Sequence, residues 1–286
     1  MADTPSPAQA QPGTTSRAGR NLPAAIGVSL LLGALVIGTL VFAPRGWVLV
    51  LSVAMAIATH EVVKRLREGG YSIPLIPLLI GGQAIIWLTW PFGAAGALGG
   101  YGGTVLVCLI WRLLSGGLAS QPVNYLRDVA ITIFLATWIP LFAAFAALLV
   151  YPENGWARVF TFMLAVVFSD IGGYAAGVLF GKHRMVPAIS PKKSWEGFAG
   201  SLVCGTLAAV LAVVFLMREP WWIGIPLGLM LVITATAGDL VESQFKRDLG
   251  IKDMGTLLPG HGGLMDRIDG ALPSAVATWI VLSLLA

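Results

Sequence analysis

The sequence contains few charged residues and few cysteines. Only 11% of its 286 residues are Asp, Glu, Lys or Arg, and 57% are hydrophobic, whereas a soluble domain carries roughly 25% charged residues. This composition excludes a soluble globular protein and indicates an integral membrane protein. The two cysteines, Cys108 and Cys204, lie far apart inside predicted membrane helices, which argues against a disulfide or a cysteine metal site.

Segments of alternating polarity are also lacking, which disfavours a transmembrane β-barrel. The apolar stretches are continuous, and each approaches the roughly 20 residues that a helix needs to cross a bilayer. We therefore predict an all-α, polytopic membrane bundle of about nine transmembrane helices. The segments that define them are 23–43, 46–63, 73–91, 94–115, 128–150, 157–180, 197–217, 221–240 and 270–286.

The N-terminal segment differs in composition from the rest of the chain. Residues 1–20 are rich in Pro, Ala, Ser, Thr and Gln and have little to bury, so we predict a disordered cytoplasmic tail. Further apolar runs follow the first one, which is atypical of a signal peptide. We assign 21–150 to N-terminal transmembrane helices and 151–286 to a C-terminal catalytic transmembrane region.

The basic residues predict the orientation in the membrane. With a cytoplasmic N-terminus, 15 of the 18 Lys and Arg residues fall on the inner side and three on the outer side, in agreement with the positive-inside rule. This predicts an extracellular C-terminus and a polar cleft that opens to the cytoplasm of a bacterial-type inner membrane. Because these residues flank apolar segments, the net charge of +4 indicates a lipid bilayer as partner, and no nucleic acid.

A polar stripe extends the predicted eighth span. Asp239, Glu242, Ser243, Lys246 and Arg247 have the spacing of one helical face. A solvated helix end with internal ion pairs has the same spacing. However, charges that face lipid are costly, so we expect this stripe to line a protein interior or a polar cleft.

The charge-rich segment 243–269, here called the signature segment, offers a site for metal and phosphate. Asp266 and Asp269 are three residues apart, so one helical turn would bring both carboxylates to a site suited to Mg²⁺. Arg267 between them could pair with an acid or a phosphate. The glycines around His261, Gly262 and Gly263 among them, allow close approach of the backbone to a ligand; His261 itself has either a structural or a substrate-binding role.

A second polar loop, residues 181–197, precedes the seventh predicted span. Ser194 is a candidate N-cap, and the helix terminus with Lys192 and Lys193 would attract a phosphate group. Positive-inside topology and anionic lipid explain the same basic residues without a specific site. Asp170, within a span, is a further site candidate, and Glu61 near the end of span two is a weaker one.

These segments resemble the phosphatidate cytidylyltransferases, also called CDP-diacylglycerol synthases. The resemblance rests on the signature segment, which reads Ser-x-Phe-Lys-Arg, then Lys252-Asp253-x-Gly255, then Leu-Pro-x-His-Gly-Gly-Leu-x-Asp-Arg-Ile-Asp269. The preceding Gly-Asp-Leu-x-Glu-Ser and the upstream Gly-Lys and Ser-Pro-Lys-Lys-Ser-Trp-Glu-Gly agree as well. The likeness extends from about span six to the C-terminus, while the first five spans match only in general character.

The resemblance implies a reaction in which CTP and phosphatidic acid give CDP-diacylglycerol and pyrophosphate, with Mg²⁺ and room for a second cation. It implies these catalytic residues: Asp239, Lys246, Arg247, Asp266 and Arg267. It implies these substrate-binding residues: Lys182, Ser190, Lys192, Lys193, Ser194, Ser243, Lys252, His261, Gly262 and Gly263. The implied metal ligands are Asp239, Asp266 and Asp269. A homodimer is left open.

Two other functions are compatible with parts of the pattern. A CTP-dependent kinase of a polyprenol or phytol shares the need for metal, CTP and lipid, but the full signature segment would not be expected in it. A transporter or channel could use Asp170, Asp239 and Glu242 along an ion path. The clustering of polar residues with glycine turns favours phosphate chemistry over transport.

Overall fold

The computed structural model describes residues 33–119, 121, 123–257 and 262–286, and most of them are helical. The predicted N-terminal tail lies outside the described residues. The α-helices in chain order are α1 (Gly33–Phe42), α2 (Pro44–Glu68), α3 (Leu75–Trp87), α4 (Thr89–Ser115), α5 (Tyr125–Ala136), α6 (Phe142–Leu148), α7 (Gly155–Phe180), α8 (Trp195–Ala212), α9 (Gly224–Asp248), α10 (Met265–Ile268) and α11 (Ala271–Leu285). A π-helical turn, Thr137–Leu141, joins α5 to α6, and a second, Val213–Met217, ends α8.

Seven helical stretches within the described residues are long and apolar enough to cross a membrane. The prediction of an integral membrane helix bundle is therefore confirmed, whereas the count of nine is not. The apolar helices Gly33–Phe42 and Leu75–Trp87 are shorter than the other seven. The third predicted span, 73–91, is shortened because its helix begins after Pro74 and the next begins at Thr89.

Hydrogen bonds connect the loops at one end of the bundle, here called the charged end. Arg65 Nε donates to the carbonyl of Met254 at 3.1 Å, and Arg247 Nε donates to the carbonyl of Ile189 at 3.1 Å. The second contact joins the charge-rich loop that follows α7 to the last turn of α9, where the other charge-rich loop begins. The two charge-rich loops therefore lie at the same end of the bundle, as the predicted order of spans requires. Which side of the membrane this end faces stays a prediction.

Helices α7 and α8 pack closely through glycine. A Cβ atom on Gly172 would lie 2.6 Å from the carbonyl oxygen of Gly200 and 2.5 Å from the Cβ of Cys204. Side chains larger than hydrogen would therefore separate the two helices. Small residues allow such backbone approach in membrane bundles, where dispersion contacts drive association.

A short antiparallel hairpin departs from the all-α prediction. Strands β1 (Arg184–Val186) and β2 (Ser190–Ser194) pair in the loop between α7 and α8. The strands have three and five residues and include Pro191 and two lysines, so they lack the period-2 apolar pattern by which strands are recognised. The hairpin continues directly into α8 and so sets the position of its N-terminus.

Candidate functional site

A cleft of about 520 Å³ opens at the charged end of the bundle. It is bounded by α7, the hairpin, the start of α8, the end of α9, and α10 with the start of α11. Charges of both signs line it. The acidic side chains are Asp170, Asp239, Glu242, Asp266 and Asp269, and the basic ones are Lys192, Lys193, Lys246 and Arg267.

Asp239, Glu242 and Lys246 of the stripe on α9 line this cleft, as expected, whereas Ser243 and Arg247 do not. Glu242 is only 1% exposed, and Lys246 Nζ donates to Glu242 Oε2 and, at 2.9 Å, to Asp266 Oδ1. Glu242 Oε1 is buried and has no hydrogen-bond partner among the described residues. A buried carboxylate oxygen without a donor is costly, so this atom marks a position where a cation or a ligand donor would be stabilised.

Asp239 connects α9 to the hairpin across the cleft. Its Oδ2 lies 2.6 Å from Lys193 Nζ, and its Oδ1 accepts a hydrogen bond from Ser243 Oγ at 3.3 Å. The ion pair brings a residue of the upstream loop against a residue that is 46 positions later in the chain. The two predicted polar segments therefore form one site.

Asp266 organises the signature segment around itself. Its carboxylate accepts hydrogen bonds from the backbone N–H of Met254 at 3.0 Å and of Gly263 at 2.9 Å, in addition to Lys246. Asp269, one turn later, accepts from the N–H of Gly270 at 2.8 Å. Both carboxylates line the same cleft, as the i, i+3 spacing predicts. Asp266 also joins the two described limbs of the glycine turn, residues 254–257 and 262–265.

The predicted N-cap of α8 is confirmed. Ser194 Oγ accepts a hydrogen bond from the N–H of Gly197 at 3.1 Å. Glu196 accepts from the backbone N–H groups of Lys182 and His183, at 3.2 Å each, and its Oε1 lies 2.6 Å from His183 Nδ1. These contacts hold the loop over the helix terminus, with Lys192 and Lys193 on the side of the cleft.

Several predicted site residues do not line the cleft. This group comprises Lys182, Ser190, Ser243, Arg247, Lys252, Gly262 and Gly263. His261 lies outside the described residues. Gly262 has a φ of +88°, a backbone conformation that L-residues with side chains rarely adopt, which explains glycine at this turn.

The carboxylates of the cleft provide a donor set that suits Mg²⁺. Asp269 lies close enough to Asp239 for their charges to repel each other, and the charge of Asp269 also acts on Glu242; a cation would relieve this repulsion. No three Asp, Glu, His or Cys side chains of the described residues converge closely enough to hold a metal by themselves. Mg²⁺ is nonetheless commonly held by one or two carboxylates, with water and substrate phosphate completing its shell.

Asp170 and Glu61, two candidate residues that belong to no motif, can be located in the structure. Asp170 lines the cleft from α7, beside the polar groups of α9. Glu61 does not line it, but its carboxylate accepts a hydrogen bond from the N–H of Met265 in α10. The only signal for either residue in the sequence was an acid within an apolar span.

The helical bundle and its cleft, lined by carboxylates and basic side chains, are those of a polytopic membrane protein with a site suited to a cation and to phosphate groups. The comparisons with known proteins are specific. The cytidylyltransferase family model matches residues 23–285, and the chain belongs to this family. The resemblance seen in the signature segment is thus confirmed over nearly the whole chain.

Among the relatives, phosphatidate cytidylyltransferase of Mycobacterium bovis is 65% identical, over 97% of this chain and 94% of its own length. The protein of the same name from Mycobacterium leprae is 63% identical, over 95% of this chain and 90% of its own length. The one from Staphylococcus saprophyticus is 29% identical, over 82% of this chain and 91% of its own length. The similarity includes the N-terminal spans, which carry none of the motifs.

Proposed function

We propose that this chain transfers the cytidylyl group of CTP to phosphatidic acid in the cleft at the charged end, forming CDP-diacylglycerol and pyrophosphate. The observation that carries the proposal is the 65% identity to phosphatidate cytidylyltransferase across 97% of the chain. The lining of the cleft supports the same reaction, because it combines basic groups that can bind phosphate with carboxylates that can bind a cation. Its position at a bundle end suits one substrate from the bilayer and one from water.

The reaction needs charge neutralisation and alignment more than acid–base catalysis. A phosphate oxygen of phosphatidic acid attacks the α-phosphorus of CTP, and the bond from that phosphorus to the bridging oxygen of the β-phosphate breaks. Pyrophosphate leaves with the electron pair. The attacking phosphate is already ionised, so no strong general base is required, and positioning with electrostatic stabilisation accounts for most of such catalysis.

The basic groups of the cleft are assigned to the phosphates. Lys192 and Lys193 belong to the hairpin, while Lys246 and Arg267 belong to α9 and α10. Cations from separate elements suit a substrate pair with two phosphate groups to be aligned. Arg247, Lys252 and Lys182 lie outside this lining, and we assign them to the entry path of the anionic substrates.

Asp239, Asp266 and Asp269 are the proposed metal ligands, with Glu242 Oε1 as a further oxygen donor. A carboxylate offers about four acceptor positions, and three donors approach that of Asp266, which leaves a position for a cation. When bound, Mg²⁺ would neutralise charge on the triphosphate and leaving pyrophosphate. A second cation and a homodimer are compatible with this proposal. We also propose an inner-membrane protein whose cleft faces the cytoplasm; the charge bias of the loops supports the cytoplasmic side.

The first experiment follows the label of CTP. Purified protein in detergent receives phosphatidic acid and Mg²⁺, with either α- or γ-³²P-labelled CTP, and a parallel reaction contains EDTA. We expect label from α-labelled CTP in the lipid fraction, release of pyrophosphate, and loss of both with EDTA. A parallel reaction contains a polyprenol or phytol in place of phosphatidic acid; transfer of label from γ-labelled CTP to that alcohol would instead establish the lipid kinase and contradict the proposal.

A further inference from the structure

A buried carboxylate of α2 contacts the signature segment from the N-terminal half of the molecule. Glu61 is 8% exposed, and its Oε2 accepts a hydrogen bond from the N–H of Met265 at 3.1 Å. One turn later, Arg65 Nε donates to the carbonyl of Met254 at 3.1 Å. Helix α2 therefore holds both limbs of the glycine turn, one before and one after it.

Two glycines of the signature segment leave space for this carboxylate. A Cβ atom on Gly255 would lie 2.5 Å from Glu61 Cδ, and one on Gly263 would lie 2.9 Å from Glu61 Oε2. Both distances are shorter than van der Waals contact. Asp266 thus accepts hydrogen bonds from Met254 and Gly263, one in each limb of the turn, and Glu61 accepts one from Met265.

Glu61 is not needed merely to attach α2 to the bundle. The same helix is anchored by Val62 and Leu66, which are fully buried in the main core. Burying a carboxylate costs free energy that apolar contact does not compensate, and Glu61 Oε1 has no hydrogen-bond partner among the described residues. The contact with the turn is the feature that distinguishes Glu61 from its apolar neighbours.

We infer that Glu61 is a positioning residue for the described limbs of the glycine turn and for Asp266, whose carboxylate binds the backbone of both limbs; it acts through Met265 and the backbone at Gly255 without touching substrate. This inference rests on the proposed function. Without the carboxylate, the turn would occupy its binding-competent arrangement for a smaller fraction of the time. The apparent affinity for CTP falls by that fraction, while bound CTP restores the turn and with it the rate at saturation.

Glu61→Leu tests this inference, because it removes the acceptor and keeps a side chain of similar bulk. We expect the KM for CTP to rise about tenfold, the effect of losing a hydrogen bond to a charged group, with kcat within about twofold and the KM for phosphatidic acid unchanged. Glu61→Gln retains a carbonyl oxygen for the N–H of Met265 and should restore most of the affinity. Glu153→Leu, a matched change at an exposed position of the α6–α7 loop, is the control.

A wild-type KM for CTP in Glu61→Leu, or a lower kcat with KM unchanged, would overturn the inference. If that variant does not fold, Arg65→Met removes the other contact of α2 with the turn, and an unchanged KM for CTP in Arg65→Met would likewise overturn the inference.

Hydrogen exchange at Met254 and Met265 gives a readout independent of turnover and should be faster in Glu61→Leu. A wild-type protein that forms no CDP-diacylglycerol refutes the proposed function, whereas an active wild type matched by Glu61→Leu refutes this inference alone.

Discussion

Single residues show how charge is accommodated at the end of an apolar bundle. Lys246 compensates two carboxylates, those of Glu242 and Asp266. Lys193 does the same for Asp239 from the hairpin. A buried charge is tolerated when it is paired and hydrogen-bonded, and these pairs keep the cleft polar without a bound substrate. Asp266 differs from the other acids of the cleft because its carboxylate pairs with Lys246 and also accepts hydrogen bonds from the backbone of the turn.

Asp266→Asn is expected to lower cytidylyltransferase activity by roughly 100-fold, the upper end of the effect of altering a metal site. The amide keeps the shape but removes the charge that pairs with Lys246 and that the proposed cation requires. Label transfer from α-labelled CTP, measured across a Mg²⁺ titration, checks this. Asp248→Asn, an exposed carboxylate at the end of α9, is the matched control, and near-normal turnover of Asp266→Asn would refute the metal role.

At the scale of elements, the closeness of α7 and α8 decides the shape of the cleft. Gly172 and Gly200 face each other across this helix pair, and both helices contribute cleft residues, among them Asp170 and Ser201. Separating the helices by one methyl group would therefore change packing and site together. Packed interiors resist such an insertion, at a cost of about 1–3 kcal/mol.

Gly200→Ala is expected to lower the unfolding midpoint in detergent and to reduce activity. Its Cβ atom would lie 2.6 Å from the carbonyl oxygen of Gly172, so one of the helices must shift. Gly103→Ala on α4 is the control, since a Cβ atom there meets nothing within 4 Å. Thermal unfolding and label transfer are measured on both variants; equal midpoints would show that the α7–α8 contact tolerates a larger residue.

At the scale of the whole molecule, the loops that carry most of the charge gather at one end. Arg247 at the end of α9 contacts Ile189 in the loop after α7, and Arg65 at the end of α2 contacts Met254 in the loop after α9. The opposite end is connected by different contacts, such as the hydrogen bond of Trp47 with the carbonyl of Ala146. This polarity matches the bias of Lys and Arg that predicts the cytoplasmic side.

Cysteine labelling tests the orientation. In a background with Cys108 and Cys204 replaced by alanine, single cysteines are introduced at Lys252, in the loop after α9, and at Glu153, in the loop between α6 and α7. An impermeant maleimide should label Lys252→Cys in inside-out vesicles and Glu153→Cys in right-side-out vesicles. The reverse pattern would place the cleft on the outer side, away from cytosolic CTP.

Features that depend on local spacing and composition were predictable from the amino-acid sequence. Apolar length and the scarcity of charge predicted the membrane bundle. The i, i+3, i+4 spacing predicted the stripe from Asp239 to Lys246, and Ser194 was recognisable as a cap. These predictions succeed because helix periodicity and capping act over a few residues. The motif from 243 to 269 was specific enough to indicate the family.

Contacts between residues that are distant in the chain were not predictable from the sequence. The pairing of Lys193 with Asp239, the place of Asp170 in the cleft, and the contact of Glu61 with Met265 have no local pattern, because each depends on how helices pack. The hairpin was missed for the related reason that its strands are held by neighbours more than by an apolar pattern. The shortness of α3 was missed as well, since hydropathy alone does not show where proline and a following helix end a span.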